Sequence, residues 1–252
     1  MEKKTKELKE AKSETTNEVI CIDLLNYKTA KKFDLIIADP PYAISSGRVF
    51  KRKGVADVTQ QFGEWDKFGS PKEYLQNVES WLKKLWDLSA FNSSIYFFCS
   101  WWYISYIKNI MEKIGWEVKS EYVWHKTNPT PSFMKKCYMF SNEFAIYAIR
   151  GKPVFHFESQ TARMHNFFES GRVSGSERLK DKSGNKLHPT QKPESLIRQW
   201  IEDASNPGLW VFDAFAGTGT TSAVAKKLKR NSIAVENQKV LCEAIKDRLL
   251  SE

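Results

Sequence analysis

FDAFAGTGTT, Phe212 to Thr221, joins the end of an apolar strand to a turn with two glycines and the start of a helix, TTSAVAKKLKR. Gly217 and Gly219 let the backbone reverse tightly and approach a ligand, and the helix start presents free N–H groups. Glu236 closes the next strand, NSIAVE, about twenty residues on, where an acid can grip ribose hydroxyls. Only that one strand follows the turn. A glycine turn of this kind normally follows the first strand of its sheet, so the remaining strands must come from the N-terminal half.

The spacing tests two familiar ligands. A phosphate-binding Walker loop needs Gly-Lys-Ser/Thr, whereas Gly219-Thr220-Thr221 lacks the lysine; a dinucleotide fingerprint wants a third glycine where Ser222 stands. S-adenosylmethionine fits better, because its ribose suits Glu236 and its cationic centre needs no phosphate cradle.

The second decisive stretch is FDLIIADPPYAIS, Phe33 to Ser45. Its unbroken apolar run reads as a parallel strand buried on both faces, stopped at Asp39 by two prolines and an aromatic ring. Asp39 and Gly217 are then expected at the carboxyl ends of neighbouring central strands, the edge at which open α/β sheets bind ligands.

The rest of the chain alternates similarly. Val19–Leu25 reads as a strand, Ser70–Ser89 as a helix started by Ser70-Pro71, Ser93–Ser100 as a strand and Trp102–Gly115 as a helix. Trp116–Lys126 and Asn142–Lys152 read as an antiparallel strand pair. Helix, strand, helix, strand and helix then follow from Ser195 to the end. The predicted fold is α/β: a doubly wound, mixed seven-stranded Rossmann-like sheet with circularly permuted motif order. Residues 1–17 read as a flexible basic arm and 18–252 as one domain. Within it lie a long loop at 43–69 and a polar, basic insertion at 152–187.

Of 252 residues, 41% are hydrophobic and the net charge is +9, which suits a globular protein with a polyanionic partner. No apolar run long enough for a bilayer is present, and no apolar core follows the N-terminal lysines as in a secretory signal. Cys21, Cys99, Cys137 and Cys242 form no C-x-x-C pair, and the four histidines show no metal spacing. The expectation is a reduced, cytoplasmic protein without a metal or a membrane.

The two stretches make chemical sense together if the substrate is an exocyclic amino group of a nucleobase. Its lone pair is delocalised into the ring, so two acceptors, one per N–H, are needed to draw the nitrogen toward tetrahedral geometry as the bond to carbon forms. The Asp39 carboxylate and the Pro40 carbonyl can supply them. Pro40 and Pro41 fix the backbone and leave no N–H to satisfy in a dry pocket, and Tyr42 offers a ring face to an extracted base.

These motifs resemble the amino-methyltransferases of DNA, specifically the permuted β group with the catalytic motif first. The resemblance includes Asp23, the run Phe62–Asp66, Asn128–Pro131 and His188-Pro189-Thr190-Gln191-Lys192-Pro193. It looks closest to the short adenine-N6 enzymes of bacterial restriction–modification systems. It implies Asp39, Pro40, Pro41 and Tyr42 as catalytic and S-adenosyl-L-methionine as cofactor. Asp23 would hold the cofactor's adenine and Glu236 its ribose, beside Asn237. Thr190 and Lys192, with Gly217, Thr218, Gly219, Thr220 and Thr221, would hold its methionine end, and Asp39, Asp213, Phe215 and Ala216 would also bind the cofactor. Asp at the head of the catalytic motif is similar to adenine-N6 enzymes more than to cytosine-N4 ones. Ala214 departs from the proline usual there.

The expected partner is double-stranded DNA, with a cognate restriction endonuclease and a homodimer as further candidates. Arg48, Lys51, Arg52 and Lys53 follow the catalytic motif and are expected to meet phosphates, and Arg163, Arg172 and Arg178 belong to the insertion assigned to target recognition. The rival readings are a cytosine-N4 or RNA-base methyltransferase, a non-catalytic nucleic-acid-binding protein with a relic cofactor fold, and a nicotinamide oxidoreductase.

Overall fold

Both faces of the run Phe33–Ala38 are covered. Leu35 and Ile37 join one apolar cluster, while Ile36 and Ala38 join another on the opposite side. A strand of that kind requires helices on both faces of its sheet. The computed structural model describes residues 15–43, 49–52, 55–59, 66–131, 138–157, 164–181 and 183–252, with the strands at 49–52 and 55–59 given by their pairing alone.

In chain order the elements are β1 (Asn17–Cys21), β2 (Phe33–Ala38), β3 (Val49–Arg52), β4 (Val55–Thr59), α1 (Pro71–Leu88), β5 (Ser89–Cys99), α2 (Ile104–Ile114), β6 (Glu117–Lys126), β7 (Asn142–Arg150) and β8 (Phe167–Ser170). There follow α3 (Glu194–Ala204), β9 (Trp210–Asp213), α4 (Thr220–Lys227), β10 (Asn231–Glu236) and α5 (Lys239–Ser251). One eight-stranded sheet runs β1-β10-β9-β2-β5-β7-β6-β8, and β3 pairs with β4 apart from it. From β1 through β5 every neighbouring pair is parallel; β7 then runs antiparallel to both β5 and β6.

The helices take their places from their apolar stripes. Ser70 caps α1, its Oγ accepting the Glu73 N–H at 3.1 Å, and Pro71 occupies the first turn, where no N–H is needed. Tyr74, Val78, Leu82 and Leu85 of α1 then pack with Ile107 and Met111 of α2 on the Ile36 side of the sheet. Leu196, Ile197, Trp200 and Ile201 of α3 pack with Val224 and Ala225 of α4 on the Ile37 side. Trp200 stacks on Tyr96 of β5 with ring centroids 4.3 Å apart.

Three expectations are corrected. The sheet has eight strands rather than seven, because Phe167–Ser170, inside the insertion at 152–187, pairs in parallel with β6. Four residues at a sheet edge with only one face half-buried leave too little periodicity to be read. The strand expected at Val19–Leu25 stops at Cys21, since the Asp23 carboxylate accepts the Leu25 N–H at 2.8 Å and starts a short 3₁₀ turn. The long loop at 43–69 contains the β3–β4 pair.

Candidate active site

β2 and β9 pair in register, Ile37 opposite Asp213, so Asp39 and the glycine turn leave the sheet side by side at one edge. β10 adds Glu236 to that edge and β1 leads there to Asp23. The departure at Ala214 has a physical use: its N–H donates to the Ile37 carbonyl at 3.3 Å, tying the two strands where a proline could not.

The catalytic turn is held at both ends. The Asp66 carboxylate accepts the N–H groups of Tyr42 and Ala43 at 2.7 and 2.8 Å, and so keeps Ala43 at a φ of 56°. The Tyr42 hydroxyl donates to Asp39 Oδ1 at 2.6 Å, which pins the ring. Lys192 Nζ donates to Asp39 Oδ2 and lies 3.4 Å from Glu143 Oε2, and Lys126 pairs with the other Glu143 oxygen at 3.3 Å. Two cations and two carboxylates thus form one partly buried, neutral chain behind the Asp39 oxygens, with Lys192 itself buried.

Burial raises the Asp39 carboxyl, against the pull of the Lys192 ammonium. Burial would lower Lys192, but the carboxylates of Asp39 and Glu143 outweigh it and its pKa is raised. Burial would likewise raise Glu143, but Lys192 and Lys126 outweigh it and hold its carboxyl below the usual range. His188, next to the glycine turn, is lowered to about 4 by burial and then by the charges of Lys192 and Arg178, so it is neutral at pH 7.

The glycine turn is built on its back by α5. Arg248 donates to the Thr218 carbonyl at 3.0 Å and to Thr220 Oγ1 at 3.3 Å, and it pairs with Glu194. Thr220 Oγ1 also donates to the Lys192 carbonyl at 3.3 Å, joining the turn to the His188–Pro193 run. Glu236 accepts the Gly217 N–H at 2.8 Å through Oε2 and the Gln238 N–H at 2.9 Å through Oε1. Its remaining lone pairs are available to hydroxyl donors. Phe215 packs edge-on against Trp81, and Ala216 is buried.

A Cβ placed on Gly217 would find no atom nearer than His188 at 3.9 Å, so the turn has open space on that side. Asp213 and Glu236 line the same edge as Asp39, an acidic pair suited to a ligand with an ammonium and a sulfonium. Asp213 is pushed up to about 7, by burial first and by the nearby charges of Asp39 and Glu236, despite hydrogen bonds from Thr221 and the Phe215 N–H. Because the folded group keeps its proton above its ordinary 3.8, it withdraws stability from the folded chain as pH rises through that window. A bound cation offsets the loss by favouring the ionised form. Affinity for S-adenosylmethionine is therefore expected to rise with pH up to about 7 and then level off, falling by at most about tenfold per unit below. Isothermal titration between pH 5.5 and 8.5 checks this; a flat profile would show that Asp213 does not face the cation.

The other described residues expected at the site lie at this edge or in the insertion. Asp23 is exposed beyond β1 with its carboxylate on Leu25, and Asn237 is exposed after Glu236. Thr190 lies against His188 Nδ1. Arg178 gives its donors to the carbonyls of Val173 and His188, and Arg172 to the Asn128 carbonyl and Thr130 Oγ1, so both brace the insertion in this state. Arg48, Lys53 and Arg163 lie outside the described residues, as do the side chains of Lys51 and Arg52. Glu143 and Lys126 escaped the sequence reading. Glu143 stands at the start of β7 and Lys126 at the end of β6, and nothing local marks either as part of the site.

A family of DNA methylases covering N6 and N4 amino-methyltransferases matches residues 33–247 of the chain. The type II methyltransferase M.HinfI of Haemophilus influenzae is 34% identical over 237 residues, which are 91% of this chain and 66% of that protein. The type II methyltransferase M2.DpnII of Streptococcus pneumoniae is 27% identical over 88% of this chain and 84% of its own. The crystal structure of the M1.HpyAVI–SAM complex superposes with a TM-score of 0.71 and 28% identity, covering 93% of this chain and 99% of the other. The cytosine-N4-specific PvuII DNA methyltransferase shares the fold at a TM-score of 0.71 and 17% identity.

Proposed function

The chain belongs to this N6/N4 DNA methylase family, and from that premise we propose that it transfers a methyl group from S-adenosylmethionine to N6 of an adenine everted from a specific DNA site. One observation carries the reading: the Asp39–Tyr42 turn and the Gly217–Thr221 turn leave neighbouring parallel strands at a single edge, which would bring the acceptors for the base next to the cradle for the donor.

Bound S-adenosylmethionine supplies an electrophilic methyl group. Asp213 and Glu236 and the open side of the Gly217 turn would hold it, with Lys192 close to the same turn through Thr220. Asp39 accepts one N–H of the adenine amino group and the Pro40 carbonyl the other. Each Asp39 oxygen already receives one donor, from Tyr42 or Lys192, and has a further lone pair to offer. Because those donors are fixed before the base arrives, the carboxylate does not reorganise as positive charge grows on the nitrogen. The pinned Tyr42 ring presents a flat surface to the base. The proton leaves to water after transfer, and His188, neutral at pH 7, is not required as a base. The choice of adenine rests on Asp at the head of the motif.

By the naming of its relatives as type II methyltransferases, the protein also fits the modification half of a restriction–modification pair. Incubation with S-adenosylmethionine and unmethylated duplex DNA, followed by nucleoside mass spectrometry, is expected to yield N6-methyladenine. N4-methylcytosine in its place would move the assignment to the other branch of the family, and no methylated nucleoside would remove it.

A further inference from the structure

β5 ends at Cys99 and the chain turns tightly into α2, with Ser100 buried and the Tyr103 N–H donating to the Ser100 carbonyl at 3.0 Å. Trp101 and Trp102 project from this turn. Their ring centroids lie 3.9 Å apart with 28° between the planes, and 48% and 61% of their surfaces are exposed. Among the described residues they are the only exposed tryptophans; Trp81, Trp116, Trp124 and Trp200 are buried. Two large rings held in water forgo the stabilisation that burial gives the others, which calls for a use outside the fold.

Their position supplies one. β5 runs parallel to β2 with Phe97 opposite Ala38, so the turn emerges at the same edge as Asp39–Tyr42. Lys192 Nζ bridges the two strands, 5.5 Å from the Tyr42 ring centroid and 4.6 Å from that of Phe98. The tryptophan pair thus begins three residues beyond Phe98, at the sheet edge that carries Asp39–Tyr42. We propose that Trp101 and Trp102 form a stacking platform for a nucleobase of the substrate DNA outside the pocket. This rests on the function proposed above. Everting one base leaves its neighbours with an uncovered face, and a planar aromatic surface covers such a face whatever the sequence. The two rings already stack on each other, so one outer face is presented ready-made and little side-chain freedom is lost on binding.

The test is fluorescence anisotropy of a labelled mixed-sequence duplex with S-adenosylhomocysteine present, using the double variants W101A/W102A and W101F/W102F, beside methylation by the wild type. The alanine pair is expected to bind DNA about tenfold or more weakly, and the phenylalanine pair to recover most of the loss. The slope of log Kd against log salt should not change, because no phosphate contact is removed. Affinity for S-adenosylhomocysteine should also be unchanged. Wild-type DNA affinity in the alanine pair overturns the proposal, as does a loss shared by the phenylalanine pair with weakened S-adenosylhomocysteine binding. A shift from dimer to monomer at unchanged DNA affinity would assign the rings to a second copy of the chain and overturn it too. If the wild type methylates DNA while the alanine pair binds as tightly, only the platform fails; if the wild type neither binds nor methylates DNA, the proposed function fails with it.

Discussion

Asp39→Ala is expected to lower methyl transfer by a factor on the order of 10³, the scale of losing one preorganised group that meets charge in the transition state. Affinity for S-adenosylhomocysteine should change by no more than about threefold, because Asp39 acts on the base. The structure makes the expected effect larger than the loss of one acceptor. Asp39 also receives the Tyr42 hydroxyl and the Lys192 ammonium, so its removal frees the ring and leaves Lys192 with Glu143 alone. Asp39→Asn separates these effects. It keeps the shape of the turn but replaces one acceptor oxygen by an NH₂ aimed at another donor. Both variants should be nearly inactive, with Asn closer to the wild type in thermal stability. Methyl groups incorporated per hour at saturating DNA measure the outcome; activity within tenfold of the wild type in Asp39→Ala would exclude it as an acceptor for the amino group.

A second large effect is expected at the glycine turn, and it differs in kind between the two glycines. Gly219 has a φ of +73°, and a Cβ there would lie 2.6 Å from Ile245 Cγ2 and 3.0 Å from Cγ1. Ile245 is fully buried against Ala216, Ala234 and Leu249, so α5 itself must shift. Gly219→Ala should cost about 3 kcal/mol of stability, from overpacking and from the left-handed backbone together. Gly217 has a φ of +53° but only His188 near, at 3.9 Å. Gly217→Ala should cost about 1 kcal/mol in stability. Its new methyl enters the space assigned to the cofactor, so affinity for S-adenosylhomocysteine should drop at least tenfold. Thermal melts beside cofactor titrations distinguish the two. A Gly217 variant with intact affinity would put the cofactor elsewhere along the edge.

The local motifs were legible because their chemistry is carried by residues adjacent in sequence. Ser70-Pro71 started a helix as read, Gly115 ended the next, and Asp39-Pro40-Pro41-Tyr42 closed a strand buried on both faces. The permuted order could also be inferred, since a glycine turn so near the C-terminus must borrow its neighbouring strands from upstream. The edge strand β8 was not legible, being four residues long with a mixed face.

The sequence by itself determined the parallel half of the sheet, the two turns and the acidic ends of their strands, because strand periodicity and turn stereochemistry are local properties. Only the tertiary structure decided what stands behind Asp39. β7 enters antiparallel beside β5 and brings Glu143 to the carboxyl edge by its first residues, while β6 brings Lys126 by its last. Lys192 arrives from a third segment through the tie between its carbonyl and Thr220. Ion pairs among residues 39, 126, 143 and 192 are fixed by strand direction and register, and no periodicity along a single segment encodes which distant segment will lie next to it.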